Sequence, residues 1–165
     1  MSVAFRKTID DAPDLEELRG FYDDYMETLD DGRLDDWPEF FVEDCLYRII
    51  PRENFEAGYT LCTIQAESRG MLVDRVQGIQ STQMYAPRYY RRFYTGLRLK
   101  GEDATATRAR QNVLVVQTML NKPSQIVLCG VSHDVIVRDA GGLRFKERIL
   151  VFDSEMIPNS LIYPA

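Results

Sequence analysis

Histidine is the scarcest chemical resource in this 165-residue chain: there is one, His133, inside the run Val131-Ser132-His133-Asp134-Val135. A non-haem iron facial triad takes two histidines and a carboxylate, and a Rieske cluster takes two cysteines and two histidines. One histidine excludes both for this chain by itself. Cysteine is also sparse. Cys45, Cys62 and Cys129 lie far apart with no C-x-x-C, so their spacing gives no support for a zinc site. The odd number reads as reduced, buried thiols of a cytoplasmic protein. The start, Met1-Ser2-Val3-Ala4-Phe5-Arg6, has no apolar run followed by a cleavage site, so no signal peptide is evident, and no apolar stretch approaches the length of a membrane span. The G-x-S-x-G elbow, the P-loop and G-x-G-x-x-G are all missing. Basic residues are outnumbered, 20 Lys and Arg against 26 Asp and Glu, for a formal charge of −6. Such a chain is poorly suited to nucleic acid, whose phosphates need a surplus of cations.

What remains is ordinary globular material, 45% hydrophobic and 28% charged. It reads as one domain over 1–165, with residues 1–12 as an N-terminal arm. Pro13 suits a first helical turn, and Asp14, Glu16 and Glu17 sit at its positive dipole end. Leu15, Leu18, Tyr22, Tyr25, Met26 and Leu29 then recur at steps of three and four, one apolar stripe on a helix that Gly32 ends. Asp35 or Asp36 is placed to cap a short helix holding Trp37, Phe40 and Phe41. Cys45 to Ile50 reads as a strand broken by Pro51, Asn54 and Gly58, and Thr60 to Ala66 as a short strand or extended edge. Ser68 caps a third helix with Leu72, Val76, Ile79 and Gln83 on its face.

Four β-rich segments follow: Phe93 to Lys100, Ala104 to Met119, Gln125 to Arg138 and Leu143 to Asp153. Loops short enough for antiparallel hairpins join them. A bulge near Arg110-Gln111-Asn112 is expected to bend one long strand. In the last strand Glu147 shares a face with Leu143, Phe145, Ile149 and Val151, so a polar partner must meet it or the register shifts. Helices first and a strand meander afterwards is an α+β pattern: N-terminal helices packed in a curved antiparallel sheet, a half-open cone.

A concave, aromatic-lined sheet makes a pocket for a small ring, and a buried carboxylate there can serve as a base. Asp44, Asp134 and Glu147 are the candidates, with Tyr25 or Tyr47 as donor. The competing reading pairs these carboxylates with Arg48, Arg52 and Arg148. Tyr85, Tyr89, Tyr90 and Tyr94, interleaved with Arg88, Arg91, Arg92 and Phe93, compose either a protein interface or a helix-to-sheet junction packed into its own core.

Trp37-Pro38-Glu39-Phe40-Phe41, Asp44-Cys45, Tyr47-Arg48-Ile49, Glu53-Asn54, Gly58, Ser68, Gly70-Met71-Leu72 and Asp74-Arg75 resemble the small (β) subunit of Rieske-type aromatic-ring-hydroxylating oxygenases. The likeness runs on through Tyr85-Ala86-Pro87 and Phe152-Asp153-Ser154. The ending, Phe152 to Pro164, is most similar to the small subunits of salicylate 5-hydroxylases. The resemblance implies the cone fold of nuclear transport factor and ketosteroid isomerase. It implies a self-trimer within an α3β3 assembly, whose large α subunit carries the Rieske [2Fe-2S] cluster and mononuclear Fe(II). Electrons would arrive from NAD(P)H through a reductase and ferredoxin. No cofactor, metal or catalytic residue is implied in the small subunit itself. Interface or motif roles fall to Trp37, Tyr47, Arg48, Asp74, Arg75, Tyr85, Arg91 and Arg92. Trp37 and Phe41 would anchor the helix-to-strand junction, with Asp74 and Arg75 as polar links at the subunit surface or within the cone. Members often show Arg-His where this chain has Arg91-Arg92, so a contact made by that imidazole is absent here. The alternatives are a stand-alone isomerase or dehydratase with a pocket carboxylate, and a ligand-binding module with an empty cone.

Overall fold

The computed structural model describes residues 12–81, 86–102, 105–154 and 161–165; most of the expected arm, Gln83 and Tyr85 lie outside them. The first helix, α1 (Leu15–Asp30), starts where Asp14 accepts a hydrogen bond from the Glu17 amide at 2.8 Å, with Glu16 and Glu17 in the first turn. It stops before Gly32, whose φ of +74° favours a residue without Cβ. Of the stripe expected from spacing, Leu18, Tyr22, Tyr25 and Leu29 are buried, with Thr28 beside them; Leu15, at the exposed first turn, lies at the surface and Met26 is half-buried. A 3₁₀ turn (Trp37–Phe40) leads into β1 (Phe41–Pro51), followed by α2 (Arg52–Glu56), β2 (Ile64–Ala66) and α3 (Arg69–Ser81). The Ser68 hydroxyl accepts from the Met71 amide at 3.3 Å at the head of α3, and Leu72, Val76 and Ile79 are its buried face. Helix α2 was not expected: Pro51 ends the strand but pre-sets the chain for one helical turn rather than a loop.

The long strands are β3 (Arg88–Glu102), β4 (Thr107–Met119), β5 (Gln125–Asp139) and β6 (Gly142–Phe152), and the six-stranded order is β2-β1-β6-β5-β4-β3. The expected all-antiparallel sheet is corrected at one seam, because β1 pairs with β6 in parallel, Tyr47 opposite Arg148 and Ile49 opposite Leu150. These strands are far apart in sequence, so no hairpin dictates their direction, and burial of their side chains decides it. The bulge also moves. β4 is regular at Gln111, and β3 carries the extra residues: Thr95 faces Asn112 and Arg98 faces Arg110, so Gly96 and Leu97 stand opposite Gln111 alone. Gly96 has φ +66°, a backbone state cheap only for glycine.

Glu147 shows the same physics. Val135 faces Glu147 and Ile136 faces Phe145, leaving Lys146 as the extra residue. The slip turns Glu147 off the inner face and puts Arg148 on it: Phe145, Arg148 and Leu150 are all fully buried, whereas Glu147 is half-buried. The core lies between the concave face of the sheet and the helices. Tyr22, Tyr25, Trp37, Phe41, Tyr47 and Phe145 fill it, with ring centroids 5.3 to 6.3 Å apart in edge-on or tilted pairs. Of the cysteines expected buried only Cys45 is so; Cys62 is half-buried and Cys129 exposed, because strand alternation turns Cys129 outward between buried Leu128 and Gly130.

Candidate functional site

Ser132 and Asp134, two residues apart on β5, point to the same face, and β6 brings Arg148 beside them. Asp134 Oδ2 accepts from the Tyr22 hydroxyl at 2.6 Å, from Ser132 Oγ at 2.9 Å and from Arg148 Nη1 at 3.0 Å. Burial pushes the Asp134 carboxyl up from the usual range, while Arg148, then Tyr22 and Ser132, pull it back down. Three donors converge on one oxygen, and the guanidinium stays charged, held up by Asp134 against its own burial. The pair is therefore an ion pair. Around the guanidinium stand Tyr25 (4.5 Å to the ring centre), Phe145 (4.8 Å), Tyr94 (5.0 Å) and Tyr22 (5.7 Å), a cation seated among aromatic rings. Among the described residues, Asp134 Oδ1 and Arg148 Nε and Nη2 have no hydrogen-bond partner. Tyr22 and Tyr25 are raised well above the ordinary phenol range, chiefly by burial.

A second network closes the core. Trp37 Nε1 donates to the Tyr25 hydroxyl at 3.0 Å, and Tyr25 donates to the Ala165 main-chain oxygen at 3.0 Å. The Tyr47 hydroxyl accepts from the Ala165 amide at 2.9 Å and donates to the Ala165 oxygen at 3.2 Å. Segment 161–165 is pinned further by Arg75, which donates to the Ile162 carbonyl at 2.8 Å, by Arg92, which donates to the Pro164 carbonyl, and by the Tyr163 ring, 5.0 Å from that of Tyr90.

The residues singled out from sequence thus separate into two groups. Trp37, Tyr47, Arg75 and Arg92 work inside the molecule, Arg92 also pairing with Asp30 at 2.5 Å. Arg48 is half-buried near Glu67, while Asp74 and Arg91 are exposed. Of the carboxylates expected in the cone only Asp134 is there. Asp44 is exposed on β1 and Glu147 has slipped off the inner face. The tyrosine that donates to Asp134 is Tyr22, not Tyr25 or Tyr47. Alternation could have marked Gln111 and Ser132 as inward, since each shares a face with buried Ala109 and Asp134; nothing local could have marked Tyr22, which sits in an otherwise apolar stripe. His133 stacks on Phe55 of α2 (5.2 Å, 21°) on the other face. Burial, then Arg110, lowers its pKa. His133 and the three cysteines do not converge. Among the described residues no group of three or more His, Cys, Asp or Glu could hold a metal ion, so the residues present fit neither a Rieske cluster nor a mononuclear iron. No described helix is long and apolar enough to cross a membrane.

The family model for the ring hydroxylating beta subunit matches residues 25–159. The chain belongs to that family. It is 33% identical over 140 residues to the anthranilate 1,2-dioxygenase small subunit of Burkholderia cepacia, covering 85% of this chain and 87% of that one. Against the beta 1 subunit of the terminal oxygenase component of terephthalate 1,2-dioxygenase from a Comamonas species, identity is 28%, over 90% and 96% of the two chains. A crystal structure assigned as the beta subunit of an aromatic-ring-hydroxylating dioxygenase from Novosphingobium aromaticivorans superposes with a TM-score of 0.80 at 30% identity, over 90% and 94% of the chains. This beta subunit is accordingly part of an aromatic-ring-hydroxylating oxygenase, and its architecture is the α+β cone.

Proposed function

We propose that this chain is the non-catalytic, architectural subunit of an α3β3 oxygenase. In this reading it trimerises and holds three large subunits in a ring, so that electrons cross between neighbouring subunits. The large subunit carries the Rieske [2Fe-2S] cluster and the mononuclear iron, and a reductase and ferredoxin supply electrons from NAD(P)H. The substrate is an aromatic acid, with salicylate favoured by the likeness of residues 152–164. The observation that carries the reading is family membership over residues 25–159. The names of the relatives, which act on anthranilate and terephthalate, support an acid substrate. The geometry supports the division of labour. Asp134, the one carboxylate of the three candidates inside the cone, is 2% exposed and tied to Arg148, Tyr22 and Ser132, so it is poorly placed to take a proton from a substrate.

The assembly face that fits best is the outer side of the edge strand β3. There Tyr89 and Phe93 are 68% and 51% exposed with Arg91 between them, the residue types enriched at interface centres. They continue across Leu114 and Val116 of β4 to Ile126 of β5. Co-expression with a Rieske-type large subunit from the same genome, followed by native mass measurement, tests the proposal. A complex holding three copies of each chain is the expected result. Aromatic-acid hydroxylation by a large subunit that assembles and turns over equally well without this chain would refute it.

A further inference from the structure

A second feature of the cone lies at its flank, between α1 and the bulge of β3. Where β3 inserts Gly96 and Leu97, Gln111 of β4 has no single partner on the β3 side, while on the other side it is in register with Ser132 of β5. Gln111 is part of the lining of a cavity of about 290 Å³. Tyr22, Met26, Tyr94 and Leu97 supply rings and apolar surface to the walls. Gln111 is 2% exposed, and its Nε2 has no hydrogen-bond partner among the described residues. A buried amide donor without a partner costs about 1–3 kcal/mol, so something accepting a hydrogen bond belongs there. Water alone would need only about 10–15 Å³, a small part of this space. Benzene occupies a closed apolar cavity of roughly 150 Å³; this one opens to solvent past the exposed Arg19, Asp23 and Thr95, and has room for a single ring with two aromatic rings in its wall. The Tyr22 and Tyr94 rings stand at 88° with centroids 6.3 Å apart, offering one face and one edge. At the rim Arg19 and Asp23 put opposite charges on the same side of α1, so the entrance selects for neither sign.

We infer that this cavity binds a substituted single-ring aromatic molecule whose oxygen substituent accepts a hydrogen bond from Gln111 Nε2. The site does no chemistry. Its only buried polar group outside the tyrosines is an amide, which neither gives nor takes protons near neutral pH. It belongs to this chain alone and does not depend on the α3β3 reading.

The test uses the purified full chain, labelled at the methionine methyls and amide side chains, and titrated by NMR with phenol, benzoate and toluene at up to millimolar concentration. At least one of the two oxygen-bearing probes is expected to saturate and to shift the Met26 methyl and Gln111 amide signals together. Gln111→Leu should weaken that probe by about tenfold and leave toluene unchanged. Met26→Trp fills the cavity from a half-exposed position and should abolish binding of every probe while the remaining spectrum stays folded. It also serves if Gln111→Leu fails to fold. The inference is overturned if neither oxygen-bearing probe shifts the Met26 and Gln111 signals, if Gln111→Leu binds the oxygen-bearing probe as well as the natural chain does, or if binding survives Met26→Trp.

Discussion

Arg148 and Asp134 meet at 3.0 Å in the centre of the cone, both side chains fully buried. Their attraction is bought against two desolvation costs, so the pair sets specificity rather than adding much net stability. Removing one partner leaves a charge with nowhere to go. Asp134→Asn or Arg148→Met should each cost about 3–5 kcal/mol in urea unfolding. The joint replacement Asp134→Leu with Arg148→Met should recover most of that loss. Losses that simply add would show that the two groups are not coupled.

The Tyr47 hydroxyl makes stability fall on the alkaline side. Burial raises it from 10.0 to about 12, against smaller lowering effects from Ala165 and Arg148. The unfolded chain releases this proton near pH 10, while the folded chain keeps it until about pH 12. Its contribution is complete below the lower value and is lost as pH rises through the upper one, about 3 kcal/mol in all. Tyr47→Phe should flatten that part of a stability–pH curve measured by urea midpoints. It should also loosen segment 161–165, read as faster amide exchange there, since both hydrogen bonds to Ala165 are lost. An unchanged alkaline slope in Tyr47→Phe would remove Tyr47 as its cause.

Two glycines should respond in opposite directions. A Cβ at Gly130 would sit 2.0 Å from the Val151 carbonyl oxygen and 2.8 Å from Phe152 Cα, backbone that cannot yield without parting β5 from β6. Gly130→Ala should therefore cost at least about 3 kcal/mol or abolish folding. Gly20 lies within α1 with nothing near its would-be Cβ, so Gly20→Ala should stabilise by about 0.5–1 kcal/mol. Thermal melts of the two variants decide both.

The assembly face proposed above, the outer side of β3, is open to direct test. Phe93 is half exposed, so Phe93→Glu should leave the melting temperature of the isolated chain within about 2 °C, in line with a surface change under about 0.5 kcal/mol. The same change should sharply reduce recovery of the complex with a large subunit in native mass spectra. Full recovery would place the interface elsewhere.

Much of the architecture is legible in short stretches of sequence. The acidic head of α1, most of its stripe, Ser68 as the cap of α3, the Leu72–Val76–Ile79 face and the four long strands follow from spacing and from residues that interact within a few positions of one another. The site is only half legible. Ser132 and Asp134 share a face by alternation, yet that same alternation puts Glu147 beside Phe145, where the structure puts Arg148. The difference has one cause, the extra residue at Lys146, and it realises the competing reading, a carboxylate paired with Arg148 rather than a pocket base.

The sequence by itself therefore determined the order and kind of every element but α2, the shortage of metal-ligating side chains and, through its resemblance, the family. Only the tertiary structure decided that β1 runs parallel to β6, that β3 rather than β4 is bulged, and that Arg148 rather than Glu147 faces Asp134. Local periodicity is written in neighbouring residues. Bulge position and strand partnership depend on which side chains meet across a hundred residues of chain, and the free energy of burying Tyr47, Phe145 and Arg148 together is not a property of any one segment.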